Sequence, residues 1–324
     1  MSNISITRRC NRQCTYCFAL AERASGGPDD MPRDIFRHSL DFIRQSGVPQ
    51  ARLMGGEPTI HPHFREYVEM ALDGGFHVAI FTGGLVPEPV CDFLAEVPVD
   101  RIVVVLNIAA FGEDREDIAA YQEELCRRLS GRVLPGVNIC GAADIPPYVI
   151  DWIDDYHLQR RVRLGLAHPI YGHGNSFMRW QQRQAVGKNT ERFLMQAQDR
   201  GIAADFDCGW TPCMFSAEFL ENYASWRDSI GNRCSPVVDI LPEGDTIPCY
   251  ALSKAFRLPH GSGNRAEVME RFDGMRKEYR ISGAGRECGA CGYRESGLCT
   301  GGCLSRAMAR IRNAGGGNPL DGNG

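Results

Sequence analysis

Residues 9–17 of the chain read RCNRQCTYC, which places Cys10, Cys14 and Cys17 on one short loop. Three thiolates can bind three irons of a four-iron, four-sulfur cluster, whereas ferredoxin-type sites supply four cysteines per cluster. The remaining iron keeps an open coordination position, as metals in catalytic sites do. Residues 9–17, the cysteine loop, therefore predict a reactive iron–sulfur site.

A single zinc ion is the main alternative for these three cysteines. A closed zinc site needs a fourth Cys or His ligand at short spacing. No Cys or His stands between Cys17 and His38. The spacing favours the iron–sulfur interpretation over zinc and over three purely structural thiols.

The composition excludes several functional classes. The chain has 324 residues, 43% hydrophobic and 23% charged, which suits a globular protein with one large and one smaller domain. A net charge of -4 gives no reason to expect nucleic-acid or anionic-membrane binding. No apolar run approaches the roughly 20 residues of a membrane span, and residues 2–9 are too short and polar for a secretory signal. We expect a cytoplasmic protein.

Fourteen cysteines in a reducing compartment indicate thiolate ligation more than disulfides. Three belong to the cysteine loop, and eight lie between Cys208 and Cys303. Cys91, Cys126 and Cys140 fall in apolar or helical patterns, where a small buried thiol is expected. Eight further thiols are enough for two four-ligand clusters.

Short β-branched runs alternate with helical patterns from Asn3 to about Ala167. The predicted strands are Ile4–Thr7, Ala51–Met54, His77–Thr82, Arg101–Asn107, Val133–Cys140 and Val162–Ala167. The predicted helices are Pro32–Gln45, His63–Asp73, Pro89–Glu96, Arg115–Leu129 and Pro147–Tyr156, with a long amphipathic helix before Arg200. Right-handed crossovers make such a series a parallel sheet, here an α/β fold with a partial (β/α)6 TIM-like barrel whose catalytic loops follow the strands.

Gly55, Gly56, Glu57 and Pro58 follow the second predicted strand, on the same face as the cysteine loop. Glycines allow a close backbone approach to a ligand, and a carboxylate can accept from an ammonium group. A tight strand-to-helix turn is the alternative interpretation. The neighbouring cysteine loop favours the ligand-binding one.

The cysteine spacing, with Tyr16 before the third cysteine, and the Gly-Gly-Glu-Pro segment together resemble the radical S-adenosylmethionine (SAM) enzymes. The resemblance implies that the open iron chelates the amino and carboxylate groups of SAM, and that Gly55, Gly56, Glu57 and Pro58 contact the amino group. Tyr16, Thr82 and Asn107 also become cofactor-binding candidates, with Thr82 and Asn107 reaching the methionyl or ribose part. In the Thr82 segment, Gly83 stands where asparagine is common in the family.

After Gly201 glycine and cysteine become frequent and the helical period weakens. Residues 237–247, between Cys234 and Cys249, read as two short strands about a turn at Glu243 and Gly244. A four-cysteine run follows, Cys288, Cys291, Cys299 and Cys303. This pattern resembles the auxiliary-cluster extension called SPASM, found on radical enzymes that modify peptides and proteins. The gap of seven residues after Cys291 is longer than the usual five, and no cysteine follows Cys303.

Two upstream thiols, Cys208 and Cys213, restore the total to eight. By analogy with the family, Cys234, Cys249 and Cys303 share one cluster with Cys208 or Cys213, and Cys288, Cys291 and Cys299 belong to the other. The expected cofactors are SAM, one radical-SAM 4Fe-4S cluster and one or two auxiliary 4Fe-4S clusters. A zinc ribbon is the alternative for these eight thiols.

These patterns predict three segments: a radical SAM partial barrel at 1–203, a SPASM-like domain at 204–312 and a disordered tail at 313–324. Between Ala167 and Arg200 we expect His168 and His173 to be polar surface and Trp180 to lie in the core.

Three hypotheses for function remain open. The first is an enzyme that reductively cleaves SAM to a 5′-deoxyadenosyl radical, which abstracts hydrogen from a peptide during natural-product or protein maturation. The second is the same chemistry on a sugar, amino acid or nucleoside, which the position of Cys10 near the start favours slightly. The third, a non-catalytic iron–sulfur or zinc protein, would not need the Gly-Gly-Glu-Pro segment. The resemblance implies a reducing partner such as flavodoxin or ferredoxin, and no residue emerges as a general acid or base.

Overall fold

The computed structural model describes residues 2–45, 47, 49–109, 115–143, 145–222, 230 and 233–314, with only the helical backbone given for 115–117 and 313–314. The strands are β1 (Asn3–Thr7), β2 (Gln50–Gly55), β3 (His77–Thr82), β4 (Ile102–Ile108), β5 (Val133–Ile139), β6 (Arg161–Leu166), β7 (Ala203–Phe206), β8 (Asp239–Ile240) and β9 (Thr246–Ile247). The helices are α1 (Leu20–Arg23), α2 (Arg33–Arg44), α3 (Phe64–Asp73), α4 (Glu88–Glu96), α5 (Arg115–Leu129), α6 (Tyr148–Asp155), α7 (Arg183–Asp199), α8 (Ala217–Asn222), α9 (Arg265–Lys277), α10 (Gly292–Glu295) and α11 (Leu304–Ala314).

These strands form a single sheet in the order β7-β6-β5-β4-β3-β2-β1-β8-β9. Strands β1 to β7 run parallel to their neighbours, β8 is parallel to β1, and β9 is antiparallel to β8. Because the carboxyl ends of parallel strands lie at one edge, the cysteine loop after β1 stands beside the loops after β2 and β3. The topology itself therefore assembles the predicted site.

Helices α2 to α7 pack their apolar sides against one face of the sheet, which we term the outer face. Ile4 and Ile6 of β1 share a buried cluster with Phe36, Leu40 and Ile43 of α2. Full burial of such a side chain stabilises the fold by about 1.5–3 kcal/mol. The helical period of α2 and the alternation of β1 point these residues at each other, which is why both patterns were readable in the sequence.

The inner face of the sheet carries a second cluster. Met54, Ala79 and Phe81 pack there with Leu241 and Tyr250, which come from the hairpin β8-β9 and the turn after it. The cysteine-rich part of the chain thus covers the inner face near β1, β2 and β3. The described part of the chain contains no helix that could serve as a membrane span.

The partial barrel and the hairpin are confirmed. Each predicted strand and helix has a counterpart whose ends agree within about one residue. The sheet is larger than predicted, because β7 and the hairpin both join it. β7 has the sequence AADF, without β-branched residues, so strand patterning could not find it.

The domain division at 203/204 stays a prediction. It falls inside β7, which pairs with β6 of the barrel. Helix α11 runs to Ala314, and residues 315–324 of the predicted tail lie outside the described residues.

Candidate active site and cysteine centres

The cysteine loop follows β1 and ends before α1. Its three cysteines are half-buried, and the Cys17 N–H donates to the Cys14 carbonyl at 3.1 Å. The Arg12 N–H lies 3.4 Å from the Cys10 Sγ. The pKa of Cys17 is raised to about 11, mainly by burial and to a smaller extent by the charges of Cys14 and Cys10. The three thiols are therefore electrostatic neighbours on one loop, as ligands of one cluster must be.

Within the described ranges, no group of three or more His, Cys, Asp or Glu side chains is arranged to hold a single metal ion. Each thiolate of a four-iron cluster binds a different iron, so cluster ligands need not converge on one point. The donors of the cysteine loop are three sulfurs, and this set fits an iron–sulfur cluster with one open iron.

The Gly-Gly-Glu-Pro segment runs alongside the cysteine loop. The Gly56 N–H donates to the Thr7 carbonyl and the Glu57 N–H to the Arg9 carbonyl, both at 2.8 Å. A Cβ on Gly55 would lie 2.1 Å from the Thr7 oxygen, and one on Gly56 would lie 2.0 Å from the Arg9 oxygen. Gly55 also has a φ of +146°. Both glycines are needed so that the two backbones can touch.

The Glu57 carboxylate points away from solvent and is 1% exposed. One oxygen accepts from the Thr59 hydroxyl at 2.7 Å and the Thr59 N–H at 3.2 Å. The other accepts from the Gly83 N–H at 2.8 Å and the Thr82 hydroxyl at 3.0 Å. Burial raises the pKa of Glu57, and these hydrogen bonds oppose the rise. The side chain therefore joins the loop after β2 to the loop after β3.

Thr82 and Asn107 stand next in the row. The Thr82 hydroxyl accepts from the Gly84 N–H at 3.0 Å, so it is engaged within the turn. The Asn107 Nδ2 lies 3.4 Å from the Thr82 carbonyl, and its Oδ1 accepts from Asn138 at 3.1 Å. The structure thus brings both predicted residues to the edge that holds the cysteine loop. Tyr16 is half-buried on the loop itself, and Pro58 is buried.

Sequence reasoning missed several polar residues beside Asn107. The Gln122 Nε2 donates to the carbonyls of Gly83 and Asn107 at 2.8 and 3.0 Å. The Arg163 Nη1 lies 3.3 Å from the Asn107 Oδ1, and its Nε donates to Asp207 at 3.0 Å. Asn138 in β5 and Arg163 in β6 are polar residues within largely apolar strands. This pattern is the sequence signal that could have identified them.

Four of the eight auxiliary thiols form what we term the first cysteine set: Cys208, Cys234, Cys249 and Cys303. Burial raises the pKa of Cys208 well above its usual range, and the charges of Cys303, Cys234 and Cys249 act in the same direction. The pKa of Cys249 rises for the same reasons, with Cys234 and Cys303 as the neighbouring thiols. Cys208 is exposed as a whole residue, Cys234 and Cys249 are half-buried and Cys303 is buried.

The other four are the second cysteine set: Cys213, Cys288, Cys291 and Cys299. Burial raises the pKa of Cys213, and among the further causes are the charges of Cys299 and Cys288. Cys291 follows Cys288 by three residues and accepts from the Arg294 N–H at 2.9 Å through its carbonyl. The two upstream cysteines that the sequence left interchangeable therefore have different neighbours, Cys208 in the first set and Cys213 in the second.

Two expectations about the intervening segment were wrong. His168 is half-buried and not ordinary surface: its Nε2 lies 3.1 Å from the Cys208 carbonyl, and it is among the groups that lower the pKa of Cys303. Trp180 is half-buried, and its Nε1 donates to Glu287 at 2.8 Å. Both residues contact the cysteine-rich part of the chain, which local sequence pattern cannot reveal because the partners are distant in sequence.

Comparison with known proteins gives matches over the N-terminal part and over almost the whole chain. Residues 4–151 match the model of the Radical SAM superfamily. In an alignment of 339 positions the chain is 26% identical to the PqqA peptide cyclase of Xanthomonas euvesicatoria pv. vesicatoria, covering 94% of this chain and 83% of that protein. A match 36% identical over 83 residues, to an S-adenosylmethionine-dependent nucleotide dehydratase of Selenomonas ruminantium, covers only 29% of that protein and 25% of this chain.

Two solved structures share the fold. SuiB of Streptococcus suis bound to S-adenosylmethionine matches with a TM-score of 0.68 at 17% identity, over 94% of this chain and 72% of SuiB. The anSMEcpe structure with bound AdoMet matches with a TM-score of 0.64 at 17% identity, over 93% of this chain and 88% of that one. Residues 4–151 are therefore a radical SAM domain, and the chain has the radical SAM partial-barrel fold followed by a cysteine-rich segment.

Proposed function

We propose that this enzyme cleaves S-adenosylmethionine reductively and uses the resulting 5′-deoxyadenosyl radical to abstract hydrogen from a peptide, as a step in peptide natural-product or protein maturation. The observation that carries the substrate class is the alignment with PqqA peptide cyclases, which spans 94% of the chain and so includes the cysteine-rich part. The nucleotide dehydratase match covers only 25% of the chain. Small-molecule chemistry is therefore the second candidate.

The residues at the loop edge have distinct roles in this proposal. Cys10, Cys14 and Cys17 hold the cluster, which supplies the electron for cofactor cleavage. Gly55 and Gly56 let the loop after β2 pack against the cysteine loop, and Glu57 holds the loop after β3 through its hydrogen bond from the Gly83 N–H. Asn107 would contact the methionyl or ribose part of the cofactor, as the family resemblance implies, and the support for an ordered Asn107 side chain is the 3.3 Å contact of Arg163 to its Oδ1.

The two cysteine sets each supply four thiols, so we infer two auxiliary 4Fe-4S clusters. In this assignment Cys213 takes the place of the cysteine that the SPASM pattern has after the final run. The support is the proximity of Cys213 to Cys288 and Cys299, and of Cys208 to Cys234, Cys249 and Cys303. We also propose an external one-electron donor such as flavodoxin or ferredoxin, because each cofactor cleavage consumes one electron.

The test is an anaerobic assay of the reconstituted, reduced protein with S-adenosylmethionine, with and without peptides encoded beside its own coding sequence. We expect 5′-deoxyadenosine in every reaction, and deuterium in it when the matching peptide is deuterated at the attacked carbon. If deuterium were transferred from a labelled nucleoside or sugar and from no peptide, the substrate would be a small molecule and the peptide proposal would be wrong. Absence of 5′-deoxyadenosine would overturn the radical mechanism itself.

A further inference from the structure

A buried arginine lies against the first cysteine set. Arg276 of α9 is 2% exposed, and its Nη2 lies 3.0 Å from the Cys234 carbonyl and 3.4 Å from the Cys234 Sγ. Its Nη1 forms an ion pair at 3.6 Å with Asp273, whose side chain is 64% exposed, and this contact leaves the Nη1 without a hydrogen bond among the described residues. Within the described residues its Nε has no hydrogen-bond partner. The guanidinium thus reaches the Cys234 thiol through its Nη2 and has two further buried nitrogens without a hydrogen bond in the described part of the chain.

A second buried arginine lies against the same set from another helix. Arg306 is 6% exposed and lies in the first turn of α11, three residues after Cys303, whose charge acts on it. Its guanidinium lies over the Phe177 ring at 5.6 Å. Its Nη2 finds no hydrogen-bond partner in the described part of the chain. Two elements distant in sequence therefore each bring a buried cation to this set.

Buried cations with unmet donors are costly unless an anion lies beside them. Neutral thiols do not meet this need. A 4Fe-4S cluster with four thiolates is a dianion when oxidised and a trianion when reduced, so it does. The nearby carboxylate of Asp207, which also acts on Cys208, is already paired with Arg163.

The second cysteine set has a different electrostatic environment. Arg183, the cation that acts on Cys213, forms an ion pair with Glu287 at 2.7 Å. Arg294 donates to the carbonyls of Cys288, Arg280 and Ile281. Arg183 is thus paired with a carboxylate at hydrogen-bonding distance, whereas Asp273 lies 3.6 Å from Arg276, and Arg294 is directed at backbone oxygens. A cluster there would gain less from its surroundings on becoming more negative.

We propose that Arg276 and Arg306 balance the charge of the cluster at the first cysteine set and raise its reduction potential above that of the cluster at the second set. Net charge and hydrogen bonds to sulfur are established determinants of iron–sulfur potentials. The step is the uptake of one electron from an added reductant, with no bond made or broken. An added electron therefore reduces the cluster held by Cys208, Cys234, Cys249 and Cys303 before it reduces the cluster at the second cysteine set. This inference rests on the two auxiliary clusters proposed above.

The test uses the full chain with Cys10, Cys14 and Cys17 replaced by Ala, reconstituted anaerobically, so that only auxiliary signals remain. Stepwise reduction followed by electron paramagnetic resonance should give two midpoint potentials. Arg276→Gln and Arg306→Gln should each move the higher midpoint to a more negative value and leave the lower one in place. Arg276→Lys, which keeps the charge, should restore most of the potential. Arg271→Gln removes the same charge from an exposed position of α9 and should change neither.

The outcomes separate the two proposals. A protein of the same background that binds only about four irons lacks one auxiliary cluster and contradicts the two-cluster assignment. With both clusters present, unchanged midpoints in Arg276→Gln and Arg306→Gln would overturn the tuning role. Movement of the lower midpoint alone would overturn it as well, since the arginines would then act on the other cluster.

Discussion

Arg8 donates through its Nη2 to both carboxylate oxygens of Glu243, at 2.8 and 2.7 Å. Arg8 stands two residues before Cys10, and Glu243 lies in the turn between β8 and β9, so one side chain ties the cysteine loop to the hairpin. Buried Glu22 lies 3.7 Å from Arg8 and is paired with Arg257 at 2.5 Å. Two arginines and two carboxylates from distant parts of the chain thus form one network beneath the cysteine loop.

We expect Arg8→Gln to destabilise the fold by about 1–3 kcal/mol, because Glu22 and Glu243 keep only Arg257 as a cation partner among the described residues and the buried carbonyl of Glu22 loses one donor. Urea unfolding followed by circular dichroism measures this. Arg9→Gln is the matched control next in sequence. Its ion pair with Asp30 joins side chains that are 41% and 30% exposed, so the loss should be within about 1 kcal/mol. Equal losses in the two variants would contradict a special role for the buried network.

Glu57→Gln should weaken S-adenosylmethionine binding and also lower stability. Glutamine offers an NH2 group where both Glu57 oxygens now face donors, at Thr59 on one side and at Thr82 and Gly83 on the other. Losing one such buried contact costs about 1–3 kcal/mol, and the loosened loop should reduce cofactor affinity roughly tenfold or more.

Isothermal titration with the cofactor and urea unfolding measure the two effects of Glu57→Gln separately. Glu69→Gln, on an exposed helix position paired with Arg65, should alter neither. An affinity loss with unchanged stability would mean that the Glu57 side chain contacts the cofactor amino group directly, which is the role that the family resemblance suggests. Unchanged affinity would rule out both roles.

The difference between these two roles for Glu57 marks the limit of what sequence predicts here. The Gly-Gly-Glu-Pro segment could be located because spacing and strand order place it beside the cysteine loop. The direction in which the carboxylate points depends on Thr82 and Gly83 at the end of another strand, and no local pattern encodes that. The cysteine sets illustrate the same point, since Cys208 and Cys213 are equivalent as spacings and differ only in which distant thiols they meet.

Asp239 should make stability depend on pH. It accepts from the Asn3 Nδ2 at 2.5 Å, and burial raises its pKa to about 7. In the unfolded chain an Asp titrates near a pKa of about 3.9. The folded state therefore binds more protons between about pH 4 and pH 7, and stability falls as pH rises through this window.

We expect the unfolding free energy of the wild type to fall relative to Asp239→Asn across that pH range, by on the order of 4 kcal/mol at most. Urea unfolding at a series of pH values measures the difference. Asp205→Asn serves as the control, because Asp205 is 47% exposed in its pair with Arg161 and should give a flat difference. A stability difference for Asp239→Asn that stays constant with pH would mean that Asp239 is ionised in the folded state throughout.

The assignment of cysteines to sets makes the last prediction. With Cys10, Cys14 and Cys17 replaced by Ala, the chain should keep about eight of about twelve irons, with matching sulfide, and lose all 5′-deoxyadenosine formation. In that background Cys208→Ala should perturb the spectroscopic signal of one auxiliary cluster and Cys213→Ala that of the other, because the two thiols have different neighbours. Cys140→Ala, which removes a half-buried thiol outside both sets, should change neither. If Cys208→Ala and Cys213→Ala altered the same signal, both thiols would serve one cluster, and the other cluster would need a ligand that is not a cysteine. Zinc in place of iron in the triple variant would identify the cysteine-rich segment as a structural zinc unit.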